Sequence, residues 1–132
     1  MKMIRFAIVA IMTSTALAAG AASPNPTPVE FWHVGDDGLS EKLADQVEAA
    51  FKRSSDFTLS SAKVPGILVV TIPTNVDWKK RGRRTRVSYT VEFSTMGSQV
   101  ISKSAGSCWD DRLEDCAAQI LENARIAARK NH

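Results

Sequence analysis

The chain has 132 residues, 44% of them hydrophobic, with 17 Lys and Arg against 14 Asp and Glu and a formal net charge of +3. That content excludes a disordered chain, and the length excludes two domains of ordinary size. Lys2 and Arg5 lie in an amino-terminal leader, so their removal leaves a charge of about +1, and overall basicity does not argue for nucleic-acid binding.

Residues 1–22 read as a secretory signal peptide. Lys2 and Arg5 form the positive start, Phe6 to Met12 the apolar core, and Ala16, Ala18, Ala19, Ala21 and Ala22 the small residues of the cleavage region. The uncharged run to Ala22 is about 17 residues and turns small and polar in its second half, short of the roughly 20 apolar residues of a spanning helix. Cleavage after Ala21 or Ala22 is expected, with Ala16-Leu17-Ala18 as a second site. No cysteine lies near these positions to accept a lipid. The expectation is an exported, periplasmic protein that is not a lipoprotein and has no transmembrane anchor after processing.

Residues 23–29 carry three prolines and read as an extended tether, so a single domain is expected over 30–132. Val29 to Val34 suits a short strand, and Asp36-Asp37-Gly38 a turn that caps the next helix. From Leu39 to Arg53, Leu39, Leu43, Ala44, Val47, Ala50 and Phe51 form one helical stripe. A short strand is expected over Phe57 to Ser60. Gly66 to Ile72 is a continuous aliphatic run, read as an interior strand covered on both faces. A loop is expected over Pro73 to Gly82. Arg84 to Ser94 alternates, with Val87, Tyr89, Val91 and Phe93 on one face; Thr95 to Ser98 turns, and Gln99 to Ser107 returns with small residues that admit a close neighbour. A last amphipathic helix runs from about Asp111 to Arg129, acids early and bases late.

Two cysteines in an exported chain favour a Cys108–Cys116 disulfide. A helix starting at Cys108 would hold their Cα atoms roughly 12 Å apart, too far for a bridge. The bridge therefore requires a later start, with Asp110 or Asp111 as N-cap and residues 107–109 folded back; two buried thiols are the alternative. Trp109 beside Cys108 is expected in the core, and one of Phe31 and Trp32 is expected to be buried.

The order β-α-β-β-β-β-α implies an α+β fold with two helices on one face of a mixed four- to five-stranded sheet. Leu43-Ala44-x-x-Val47, then Ala50-Phe51-Lys52-Arg53-Ser54-x-Asp56-Phe57-x-Leu59, Ile67-Leu68-Val69-Val70, the alternating hairpin and the closing helix resemble the amino-terminal domain of the TolB family of periplasmic Tol translocation proteins. The likeness spans roughly residues 30–129. It implies a non-enzymatic envelope domain that contacts other proteins, and it carries over no binding residue.

The strongest surface signal is Trp78, Lys79, Lys80, Arg81, Arg83, Arg84 and Arg86, a cationic cluster with a tryptophan between two strands. In an exported protein these residues suit anionic lipid, lipopolysaccharide or an acidic protein partner rather than nucleic acid; the alternative is a solubilising tip that blocks edge pairing. His33 has no spacing that suits a metal or a thiol partner. Asp36-Asp37 and Asp110-Asp111 read as helix caps. No serine elbow, H-E-x-x-H, phosphate-cradling glycine loop or C-x-x-C is present, so neither enzyme activity nor a cofactor is expected. The expected role is a small envelope binding or accessory protein, with an inhibitor or immunity protein against an envelope-targeted enzyme or toxin as the alternative.

Overall fold

Alternating apolar residues build one sheet, and two amphipathic stripes build the helices that cover it. The computed structural model describes residues 25–96 and 99–131. The leader, residues 1–22, lies outside the described residues, as do Gly97 and Ser98 of the expected turn. The elements are β1 (Thr27–His33), α1 (Gly38–Arg53), β2 (Phe57–Leu59), β3 (Leu68–Ile72), β4 (Asp77–Arg81), β5 (Arg84–Thr95), β6 (Val100–Trp109), a 3-10 turn (Asp110–Arg112) and α2 (Leu113–Lys130). The fold is α+β, with both helices on one face of a mixed sheet. That sheet has six strands, the addition being β4 within the expected loop.

β1 lies between β2 and β3 and is parallel to both, while β3 pairs antiparallel with β5. β5 is long enough to pair with β6 along one edge and with β3 and β4 in succession along the other. β1 starts inside the expected tether, at Thr27. Pro28 stands opposite Thr58 of β2, but its N–H would point to the other side, where β3 joins β1 only from Val29, so the missing donor costs no ladder hydrogen bond.

The core face carries Val29, Leu68, Val70, Ile72, Val87, Tyr89, Val91 and Phe93 against Leu43, Val47 and Phe51 of α1 and Cys116, Ile120, Ala124 and Ala127 of α2. Each large apolar side chain fully buried here contributes about 1.5–3 kcal/mol. β3 is central, but only one of its faces is covered: Leu68, Val70 and Ile72 are buried while Val69 and Thr71 are half-exposed. Its aliphatic run reflects β propensity on both faces, not burial on both.

Asp37 caps α1, its carboxylate accepting from the Ser40 N–H at 2.7 Å. Asn75 Oδ1 accepts from the Asp36 and Asp37 amides, and buried Ser40 Oγ accepts from the Val76 N–H at 2.9 Å, which fastens the start of α1 to the β3–β4 connection. Replacing Asp37 with alanine is expected to cost about 1 kcal/mol in denaturant unfolding, and with asparagine much less; equal losses would show that charge rather than capping matters. At the other end of the domain Arg125 of α2 donates to Asp56, 2.8 Å away, just before β2. That hydrogen bond raises the guanidinium pKa above its ordinary value, with further support from the charges of Asp56 and Glu122.

Cys108 and Cys116 form a disulfide with Cα atoms 5.6 Å apart. The helix does start later, but by a different route from the expected fold-back. β6 continues as strand through Trp109, and the 3-10 turn reverses the chain so that Cys116, in the first turn of α2, faces back to Cys108. Asp110 and Asp111 do not cap α2. Asp110 accepts from the Thr85 N–H at 3.2 Å and Asp111 pairs with Arg84 at 3.0 Å, so both acids tie the turn to the start of β5.

Candidate functional site

The cationic segment is a two-stranded ribbon rather than a loop. β4 pairs with the first residues of β5 around a two-residue turn, Gly82-Arg83, in which Gly82 takes a positive φ of 67° that favours glycine. Sequence periodicity missed β4 because Asp77–Arg81 has no apolar alternation, and every residue of it is exposed. The glycine placed between two short cationic runs is the cue that was available.

Cross-strand register sorts the candidate residues by face. Lys79 stands opposite Arg86, and Arg81 opposite Arg84, on the sheet face that carries no helix. Trp78 stands opposite Val87 and Lys80 opposite Thr85, on the helix side but beyond the covered core. Trp78 is therefore 57% exposed. Arg83 lies in the turn. A cleft of about 310 Å3 is lined by Asp77, Trp78, Lys79, Arg81, Arg86 and Ser88.

Trp109, expected in the core, belongs to this site. It sits opposite Arg86 on β6, with the Arg86 guanidinium 4.9 Å and the Arg84 guanidinium 4.3 Å from its ring centroid. Such cation–π contacts stabilise by about 0.5–1 kcal/mol at exposed positions. Arg86 also donates to Ser107 Oγ at 2.9 Å. Two arginines are thus held in place, whereas Lys79, Lys80, Arg81 and Arg83 have no acidic partner among the described residues; of the six cations only Arg84 has one.

The other candidates are placed apart from one another. His33 lies at the end of β1 with Nδ1 3.4 Å from the Gly35 carbonyl oxygen, and the cysteines are joined to each other. No group of three His, Cys, Asp or Glu among the described residues could hold a metal ion. Neither aromatic of β1 is fully buried: Phe31 is half-buried and stacks on His33, and Trp32 is 56% exposed on the open face. No helix among the described residues is long and apolar enough to cross a membrane.

No protein-family model and no curated protein sequence matches the chain. The fold does have solved counterparts. A minor lipoprotein from Acinetobacter baumannii superposes with a TM-score of 0.52 at 11% identity, covering 78% of this chain and 91% of that one. A PelC dodecamer from Paraburkholderia phytofirmans gives a TM-score of 0.53 at 14% identity, with 84% and 92% covered. At such identities the likeness is one of fold. The resemblance to Tol domains is likewise fold-level, and neither counterpart is named as a Tol protein.

Proposed function

We propose that this is an exported, non-enzymatic accessory protein of the periplasmic cell envelope that works by holding an anionic partner on the β4–β5 ribbon. The leader and the disulfide support export. One structural counterpart is a lipoprotein, although the leader of this chain offers no cysteine for lipid attachment.

The register of the ribbon carries the reading. Lys79 opposite Arg86 and Arg81 opposite Arg84 are two successive like-charge rungs on one face, the second partly offset by Asp111 on Arg84, and an unrelieved pair of this kind destabilises a sheet by a few tenths of a kcal/mol. A solubilising tip has no need of that arrangement, since cations placed on alternate faces would block edge pairing as well. A bound anion relieves the Lys79–Arg86 rung and whatever repulsion Asp111 leaves at the other, which is the pattern of a site that gives up stability for binding.

The test pairs stability with retention on an immobilised polyanion. The Lys79→Ala, Arg81→Ala double variant is expected to unfold at an equal or slightly higher denaturant concentration and to elute at lower salt than Lys63→Ala, Lys103→Ala, which removes the same charge elsewhere. Equal elution of the two variants, or clear destabilisation by the first, would contradict the reading.

A further inference from the structure

Resting on the anionic-partner reading, we infer that the partner is a phosphate-bearing lipid surface, met by the outer edge of β4. β4 pairs only with β5, and its other edge has no strand beside it among the described residues. Side chains of an edge strand splay to both faces of the sheet. Lys79 and Arg81 leave on one face, Trp78 and Lys80 on the other, and Arg83 projects from the turn. An acidic pocket that accepts only one face of such a ribbon uses about half of these residues. A plane met by the strand edge engages both, and Trp78, Lys79, Lys80 and Arg81 are all exposed to reach it, with the acidic Asp77 at the far end of the strand.

Charge and aromatic content agree with that geometry. Rungs on one face repeat every second residue, about 7 Å apart, so the cations form a row rather than a single seat. Of the four cations on β4 and its turn, Arg81 and Arg83 are arginines, whose planar forks match phosphate oxygens in pairs. Arg84 and Arg86 sit one strand further in, on β5, and are drawn toward Trp109 of β6, so the cations that reach the plane are those of β4 and its turn. Trp78 stands among these charges with an apolar ring and one N–H donor, the combination that settles at the headgroup level of a bilayer.

The experiment is co-sedimentation of the protein, recovered as the cell processes it, with vesicles of phosphatidylcholine alone or mixed with phosphatidylglycerol, beside vesicles given equal negative charge by a carboxylated lipid. Binding is expected only to charged vesicles, tightest with phosphatidylglycerol, and released by salt. Loss of Lys79 or Arg81 to alanine lowers it about fivefold each, the effect of one cation near an anionic surface. Trp78→Ala lowers it as well, while Lys63→Ala, Lys103→Ala stays close to the wild type. Circular dichroism and melting confirm that each variant is folded.

Retention on the polyanion without binding to any vesicle would overturn the lipid inference and leave the anionic-partner reading standing. Stronger binding to carboxylated than to phosphate vesicles would overturn the choice of phosphate. Equal losses from hairpin and control variants would overturn the site. Absence of both vesicle and polyanion binding would remove the inference together with the reading it rests on.

Discussion

Reducing the Cys108–Cys116 bridge, or replacing both cysteines with alanine, is expected to lower the free energy of unfolding by about 2.5 kcal/mol, the chain-entropy value for a loop of this short separation. In a domain of this size that corresponds to roughly 10 °C in melting temperature. The bridge joins the end of β6 to the first turn of α2, where no side-chain cap holds the helix start. Without it, the 3-10 turn is fastened to β5 through Asp110 and Asp111, which are exposed. The loss should therefore concentrate at this junction, and amide exchange should rise first in residues 108–116. Denaturant unfolding with and without reductant gives the magnitude, and thiol titration of the unfolded, unreduced protein should find no free thiol. Equal stability of oxidised and reduced protein would refute the account.

Most of the fold was legible because its signals are local and periodic. The stripes of α1 and α2 and the alternation of β5 each report a buried face directly. What the sequence hid depends on partners far along the chain. Pro28 sits within a strand because of where β3 begins. Asp110 and Asp111 look like caps until β5 is seen beside them, and Trp109 looks like core until Arg84 and Arg86 are found over its ring. The cations of the candidate site were visible by composition alone. Their pairing into like-charge rungs was not, since it follows from a strand register that no apolar pattern announces.

Of the glycines among the described residues, Gly106 should be the hardest to replace. A Cβ there would lie 2.7 Å from Tyr89 Cζ and closer still to the Tyr89 hydroxyl and Gln119 Oε1. Tyr89 donates its hydroxyl hydrogen to Gln119 Oε1 at 2.9 Å, and Gln119 Nε2 donates to the Ser107 carbonyl at 3.0 Å, so β5, β6 and α2 meet at this glycine. The two neighbours differ in what they can yield. Gln119 is exposed and can swing outward, whereas Tyr89 is only 5% exposed and its ring can yield only by giving up packing in the core. Gly106→Val is thus expected to cost about 3 kcal/mol, from overpacking against the ring and loss of its hydrogen bond. Adding Gln119→Ala should recover little of it; full recovery would show that the flexible side chain, not the ring, sets the limit. Alkaline titration reads the same contact independently. Burial pushes the Tyr89 phenol from 10.0 up to about 12, so folding favours its protonated form, and the associated stability is complete below pH 10 and lost as pH rises toward 12. Tyr89→Phe removes that alkaline decline. Gly106→Val, by displacing the ring toward solvent, should draw the phenol back toward its ordinary value, which ultraviolet absorbance of the folded protein measures at the chain's one tyrosine. An unchanged phenol titration in a folded Gly106→Val protein would mean that the ring had kept its place and the strand had moved instead.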